Sequence, residues 1–218
     1  MCAGEEMMHM LDANQRNGAW RPEVVPGSRI FLSVLQREDV PVFARWFSDL
    51  ELTAYLGQGG MAYTLEQEEE WYARVSRDAS VKTFTIITRD DRRIIGTVSL
   101  MNINHYRQCA ELGIAIGDKS AWGKGYGSEA VRLMCDYGFT FLNLYAVYLW
   151  HWGFNQRAHQ AYLKAGFREA GRLRCGPLFN GQRYDQVLME ITRDEFGPSG
   201  VAHLVQQIEV TTYPFYPE

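Results

Sequence analysis

The stretch DKSAWGKGYGSEAV, residues 118–131, sets Gly123, Gly125 and Gly127 directly ahead of an amphipathic helical pattern. The first turn of a helix leaves backbone N–H groups without partners and carries partial positive charge. Glycines ahead of that turn let an anion approach the main chain, and Lys124 adds a full charge nearby. Main-chain binding of a phosphate is the natural use of such a segment. A flexible loop with an ordinary helix start is the alternative. Two better-known phosphate motifs fail here. The pattern GxxxxGK[ST] breaks because Gly125 follows Lys124 and no glycine stands at the upstream position. Gly125, Gly127 and Ala130 match GxGxxA, but the loop is too long for a tight strand-to-helix turn. The next strand, YAVYLWHW, also offers no acidic residue for a ribose.

Two flanking segments carry further chemistry. In AELGIAIG, alternation puts Glu111, Gly113, Ala115 and Gly117 on one face and Leu112, Ile114 and Ile116 on the other. A face with one carboxylate and no other bulk lies against either a ligand or a closely packed helix. In NQRAHQAYLKAG, Asn155 suits a helix N-cap and Gly166 the C′ position, with Ala158, Ala161, Tyr162 and Ala165 as a stripe. Tyr162 is the one bulky group on that stripe; a core tyrosine with a locally satisfied hydroxyl is the simpler reading. Trp150 and Trp152 alternate along the intervening strand as core or pocket wall.

The elements that must position these groups are readable in outline. SRIFLSVL reads as a strand, followed by helical spacing from Asp39, a candidate cap, through Val40, Phe43, Ala44 and Phe47. After the glycine-rich AYLGQGGMAY, Thr64 and Gln67 form a capping-box pattern. VKTFTIIT and RIIGTVSLMNI flank the turn RDDR as an antiparallel hairpin, and CAELGIAIG adds a third strand. The helix after the glycines shows Ala130, Leu133, Met134, Tyr137 and Phe141 on one face, with Glu129, Arg132, Asp136 and Thr140 opposite. Strands first and then helix–strand–helix–strand predict an α+β fold: a mixed, mostly antiparallel twisted sheet of six to seven strands with helices on both faces. A polar segment precedes it over residues 1–27, the folded domain spans 28–194, and residues 195–218 form a tail.

Composition narrows the function classes. With 218 residues, 46% hydrophobic and 22% charged, the chain is long enough for one sizeable core. A net charge of −4 argues against a domain that lives by gripping nucleic-acid phosphates. Cys2, Cys109, Cys135 and Cys175 lie far apart as core or incidental thiols, and no His/Cys/Asp/Glu cluster has zinc-like spacing, so no metal is expected. The first residues lack an apolar signal core and no run approaches the ~18 residues of a membrane span. A cytoplasmic location is expected.

In order and spacing these pieces resemble the GNAT superfamily of acyl-CoA-dependent N-acyltransferases. The branch of RimJ/RimL-like ribosomal-protein and polyamine acetyltransferases is the nearest in pattern. The resemblance covers residues 28–192 and is strongest in ELGIAIGDKSAWGKGYGSEAV and NQRAHQAYLKAGF. The family writes the loop-to-helix motif as [RQ]xxGx[GA]. Here Trp122 stands in the Arg/Gln position and Gly125 and Gly127 in the small ones. Tryptophan departs from that pattern, while a backbone role needs only the loop shape. The resemblance implies acetyl-CoA as co-substrate. Its pyrophosphate would be held by the main chain across Trp122, Gly123, Lys124, Gly125, Tyr126, Gly127 and Ser128. Ile114, Ala115 and Ile116 would pair with the pantetheine amides, Asn155 would meet the pantetheine arm, and Tyr162 would sit near the thioester sulfur.

The chemistry implied is acetyl transfer to a primary amine by direct attack in a ternary complex. An amine is mostly protonated at pH 7 and must lose that proton before attacking a thioester. Glu111, directly or through water, is the candidate base if burial raises its pKa toward neutrality. Oxyanion charge calls for a preformed donor, such as a backbone N–H where the third strand splays from its neighbour. A phenol of reference pKa ~10 can protonate a thiolate whose conjugate acid lies near ~8.5, which makes Tyr162 the candidate acid. The acceptor is expected to be a small amine, a polyamine or a protein N-terminus, with Trp46, Tyr55, Tyr63 and Trp152 lining its pocket. The glutamates around Glu68 either attract a cationic acceptor or form a solvated helix face. A non-catalytic acyl-CoA sensor or scaffold is the rival from another class, against which Glu111 and Tyr162 both count. The tail after Phe196 suits two roles, covering the cleft or crossing to a second subunit of a homodimer.

Overall fold

The computed structural model describes residues 21–57, 61–202 and 204. Strands β1 (Val25–Pro26) and β2 (Ile30–Val34) lead through a 3₁₀ turn into helices α1 (Val40–Phe47), α2 (Leu50–Tyr55) and α3 (Leu65–Val75). Strands β3 (Lys82–Thr88), β4 (Ile94–Asn104) and β5 (Cys109–Ile116) follow as a meander. Next come α4 (Tyr126–Phe141), β6 (Ala146–Trp152), α5 (Gln156–Ala165) and β7 (Arg168–Leu173). The small hairpin β8 (Leu178–Phe179) and β9 (Gln182–Arg183), strand β10 (Gln186–Thr192) and α6 (Arg193–Phe196) complete the order.

Eight strands join in one sheet in the order β1-β2-β3-β4-β5-β6-β10-β7, with β8 and β9 apart. Every neighbouring pair is antiparallel except β5 with β6. The mixed architecture is the one expected, with more strands than the six to seven read from the sequence. The extra one is β1, whose two residues are too short to carry a period: Val25 pairs with Leu32 and Pro26 with Phe31. The ordered fold therefore starts before residue 28. Arg21 forms an ion pair with Asp39, its Nη1 donating to Oδ2 at 2.9 Å, and the Val24 amide donates to Leu32 O at 2.9 Å.

The core lies between α4 and the sheet, where Ala130, Val131 and Met134 pack with Ile30, Leu32, Ile86, Val98 and Leu100, all fully or almost fully buried. Two of the expected caps form. Thr64 and Gln67 exchange both bonds of a capping box, and Asn155 Oδ1 accepts from the Ala158 amide at 3.1 Å. Asp39 does not cap α1. It is fully buried and accepts from Arg21, Thr85 Oγ1 and the Gln36 amide instead.

The polar face expected on α4 is only partly solvated: Arg132 is exposed, but Glu129 and Asp136 are engaged by the rest of the chain. Asp136 is buried and accepts from the Gly200 amide at 2.7 Å, the Val201 amide at 3.2 Å and Thr140 Oγ1 at 3.2 Å, besides Ser199 Oγ. Glu129 Oε1 accepts from the Ser28 and Arg29 amides at 2.7 and 2.8 Å. Phe141, expected in the core, is 44% exposed. Cys109, Cys135 and Cys175 are free thiols, and burial pushes the Cys135 thiol up, away from reactivity. No helix among the described residues is long and apolar enough to cross a membrane.

Candidate active site

The parallel pairing of β5 with β6 runs only from Cys109 opposite Ala146 to Glu111 opposite Tyr148. Beyond Glu111, β5 keeps its bonds to β4, from Leu112 opposite Leu100 to Ile116 opposite Gly96. Among the described residues its other edge has no strand partner over positions 112–116. A strand edge left open in this way presents N–H and C=O groups in an extended row, ready for an extended ligand. A cleft of about 630 Å³ opens at the divergence. Glu111 and Tyr162 both line it, as do Ile114, Ala115, Ile116, Gly123, Gly125, Gly127, Ser128 and Asn155.

The glycine segment forms one wall. Gly123 and Gly125 hold φ of +74° and +83°, a region L residues rarely adopt, and a Cβ at Gly123 would meet nothing within 4 Å. Gly125 is the N-cap of α4 and the first ladder bond is Glu129 N to Gly125 O at 3.2 Å. The amides of 123–128 thus precede the helical ladder, and Gly123, Gly125, Gly127 and Ser128 line the cleft. Trp122 is used differently. Its amide donates to Lys119 O at 3.1 Å and its indole Nε1 to Ile116 O at 2.7 Å, so the run of available donors starts at Gly123. Arg29 braces the loop from behind, its Nη1 donating to Lys124 O at 2.8 Å and its Nε to Glu129 Oε2 at 3.0 Å.

The two side chains expected to carry the chemistry both line the cleft. Glu111 is half-buried and accepts from Asn102 Nδ2 at 3.1 Å. Tyr162 is 8% exposed, and burial pushes its phenol up to about 12. Its hydroxyl has no hydrogen-bond partner among the described residues, so the locally satisfied core tyrosine is not what is found. The neighbouring ring of His151 lies 5.8 Å away centroid to centroid. Both His151 nitrogens are occupied: Nδ1 faces Trp152 O at 3.0 Å and Nε2 faces His159 Nδ1 at 3.1 Å. Burial pushes that imidazole below its ordinary value, keeping it neutral beside the cleft.

Some expected residues fall elsewhere. Lys124 and Tyr126 do not line the cleft; Lys124 is exposed, and Tyr126 lies beneath the Arg29 guanidinium at 5.3 Å. Trp46 is not in the lining either. It packs over Gly117, where a Cβ would lie 2.1 Å from the ring, so this part of the small-residue face accommodates a helix side chain. Tyr63 meets Phe47 edge-on at 6.3 Å, and Phe47 lines the cleft in its place. Tyr55, Trp150 and Trp152 are in the lining. Asn155 is there too, with its Nδ2 donating to Tyr55 O at 3.3 Å. Glu68 lies in neither the cleft nor solvent; it is buried on α3.

Sequence reasoning missed Asn102 and Arg157. Asn102 has φ +52° at a break in the β4–β5 register, which no period-two pattern shows. Arg157 lies 3.7 Å from the Trp122 ring centroid and 4.8 Å from that of Tyr55. Its place two residues after a predicted N-cap was the available signal, since a first-turn arginine opposes the helix dipole and needs another reason to be there.

An open strand edge, a run of free amides at a helix start, a carboxylate and a phenol together fit a long extended cofactor that carries a diphosphate, as coenzyme A does. The acetyltransferase (GNAT) domain model matches residues 29–168. The spermidine N(1)-acetyltransferase of Escherichia coli (strain K12) is 33% identical over 172 residues, 76% of this chain and 87% of that protein. An uncharacterized N-acetyltransferase p20 of Bacillus licheniformis is 27% identical over 176 residues, 80% of this chain and 98% of its own length. Among solved structures, spermidine N-acetyltransferase from Vibrio cholerae in complex with CoA and spermine superposes with a TM-score of 0.71 at 27% identity, covering 78% of this chain and 99% of that one. The chain therefore belongs to the GNAT acetyltransferase family and is an N-acetyltransferase that draws its acetyl group from acetyl-CoA.

Proposed function

We propose that this enzyme acetylates a primary amine of a polyamine-type cation, with Glu111 as base and Tyr162 as acid. The observation that carries the reading is the placement of both side chains in the one cleft that opens where β5 leaves β6. Acetyl-CoA supplies an activated thioester, and the chain's own groups supply the rest. The amides of 123–128 and the open edge of β5 hold and orient the coenzyme. Glu111 takes the proton of the incoming ammonium, leaving a lone pair for attack. Tyr162 keeps its proton across the working pH range and presents it to the departing sulfur. No side-chain nucleophile is needed, and one proton leaves to solvent per turnover.

The acceptor class rests on two supports. Polyamine acetyltransferases are among the chain's relatives. Among the described residues Glu111 is the one carboxylate in the lining, and Trp150 and Trp152 are aromatic neighbours left for an ammonium, the Tyr55 ring being covered by Arg157. In this reading the catalytic unit runs from β1 to α6 and works in the cytoplasm.

Thiol release from acetyl-CoA, followed with spermidine, spermine, an uncharged-tail monoamine and an N-terminal peptide, tests the proposal. Turnover fastest on the polyamines is the expected result. Coenzyme binding without turnover on any amine would favour a sensor, and turnover on the peptide alone would replace the acceptor class.

A further inference from the structure

The diphosphate loop has a charge deficit. The coenzyme's diphosphate carries two negative charges, whereas main-chain amides offer only partial positive ones. Trp122 has already given its indole N–H to Ile116 O. Lys124 is exposed and not in the cleft lining, and the Arg29 guanidinium is engaged with Glu129 and Lys124 O. The full cations in the lining are Arg157 and Lys164.

Arg157 differs from Lys164 in being held. Its guanidinium lies over the ring of Trp122, the residue that opens the glycine loop, and over Tyr55 on a third side. Arg157 projects from α5 and Trp122 from the β5 side, so their stack joins the two walls of the cleft. Among the described residues no carboxylate stands within ion-pair distance of it. Glu51, the nearby acid, is committed to Lys119 at 2.6 Å. The two rings stand at 85° to each other, so they fix the guanidinium from two directions while offering no oxygen to its N–H groups. Packing against the rings also disfavours its charge, pushing its proton affinity down, and an arriving anion reverses that penalty.

We propose that Arg157 is the guanidinium that grips the coenzyme diphosphate, with Trp122 as the platform that aims it. The inference rests on the coenzyme cleft described above, and not on which amine is acetylated. It also accounts for a tryptophan at position 122: the ring supports a donor instead of being one.

Calorimetric titration with coenzyme A and, separately, with pantetheine (which lacks the phosphates) tests it. Arg157→Ala is expected to weaken coenzyme A binding by about 10- to 100-fold, the range of a charge-assisted bidentate contact, and to leave pantetheine binding unchanged. Arg157→Lys keeps the charge without the fork and should fall between. Trp122→Leu should weaken coenzyme A in the same direction by a smaller factor. The dependence of coenzyme A affinity on salt should flatten in Arg157→Ala. Unchanged coenzyme A affinity, or equal loss for both ligands, would overturn the assignment. A wild-type chain that binds coenzyme A yet acetylates no polyamine would sink the acceptor reading alone, because these titrations contain no amine.

Discussion

Asn102 donates its side-chain amide to Glu111 Oε2 at 3.1 Å from a backbone turned into the left-handed region at φ +52°. The β4–β5 register shifts between Met101 and Asn104, so the irregularity itself brings the amide to the carboxylate. Glu111→Gln keeps an oxygen for that bond but cannot take a proton. It is expected to lower kcat by about 100-fold at neutral pH, within the usual range for general-base removal. The deficit should shrink as pH rises, because more of the amine then arrives unprotonated. Asn102→Ala should cost about 3- to 10-fold in kcat at an unchanged KM for acetyl-CoA, the loss of one orienting hydrogen bond. A pH–rate profile parallel to wild type in Glu111→Gln would remove that residue as the base.

Tyr162→Phe keeps the ring and deletes the hydroxyl. Turnover should fall by about 10- to 100-fold, while coenzyme affinity stays close to wild type; equal loss of both would make the residue structural. A stability effect follows with a definite sign. Burial lifts the phenol from its ordinary value near 10 to about 12 in the folded chain. The folded state then binds more protons than the unfolded state between those values, so stability falls as pH rises through that window. The contribution is complete below pH 10. Denaturant titrations at pH 9 and 11 should show a smaller alkaline loss in Tyr162→Phe than in wild type.

The parts of this fold that repeat a local period were legible beforehand, and the parts made by distant partners were not. Alternation along KTFTIIT and CAELGIAI, together with the turn between β3 and β4, marked the central strands. Thr64, Asn155 and Gly166 marked helix ends because caps are contacts within three or four residues. Asp136 sits at a position that reads as solvent-facing, and its burial depends on amides 64 and 65 residues away. The small face of β5 fitted either a ligand or a closely packed helix, and both are found: Trp46 from α1 covers Gly117 while Gly113 and Ala115 remain in the cleft lining. Periodicity cannot say which neighbour fills a space. Arg157 belongs to the same class, since its stack on Trp122 joins positions from separate elements.

Glu68 gives a prediction away from the cleft. It is 6% exposed on α3, and burial alone pushes its carboxyl up to about 7. A carboxylate raised above its unfolded value favours the folded state only while protonated, so its support is lost as pH climbs from about 4.5 to 7. At pH 8 the charge opposes folding. Glu68→Gln is expected to stabilise the chain there by about 1–3 kcal/mol, or about 2–4 °C in Tm per kcal/mol. At pH 4 the gain should vanish. Thermal melts at the two pH values check this, and an equal gain at both would show that the side chain is stabilised by something other than its burial.

Asp136 tests how the last described residues are held. Its carboxylate, buried in the middle of α4, receives two backbone amides, Gly200 and Val201, and two hydroxyls, Thr140 and Ser199. An ionised carboxylate is acceptor-only, which matches four donors pointing inward. Asn at this position still serves all four, because its NH₂ can face the two hydroxyls, which accept as well as donate, whereas Leu removes the acceptor that the four donors share. The unsatisfied pairs should cost about 2–4 kcal/mol, and the loss should be local as well as global, because Phe196 packs edge-on against Phe139 just upstream at 5.3 Å. Asp136→Leu is therefore expected to lower Tm and to speed proteolytic clipping after residue 196, and Asp136→Asn to do so far less, with coenzyme affinity retained in both because Asp136 is not in the cleft lining. Wild-type clipping rates in Asp136→Leu would mean that the apolar contacts of Phe196 and Val201, and not the carboxylate, hold this end of the chain to α4.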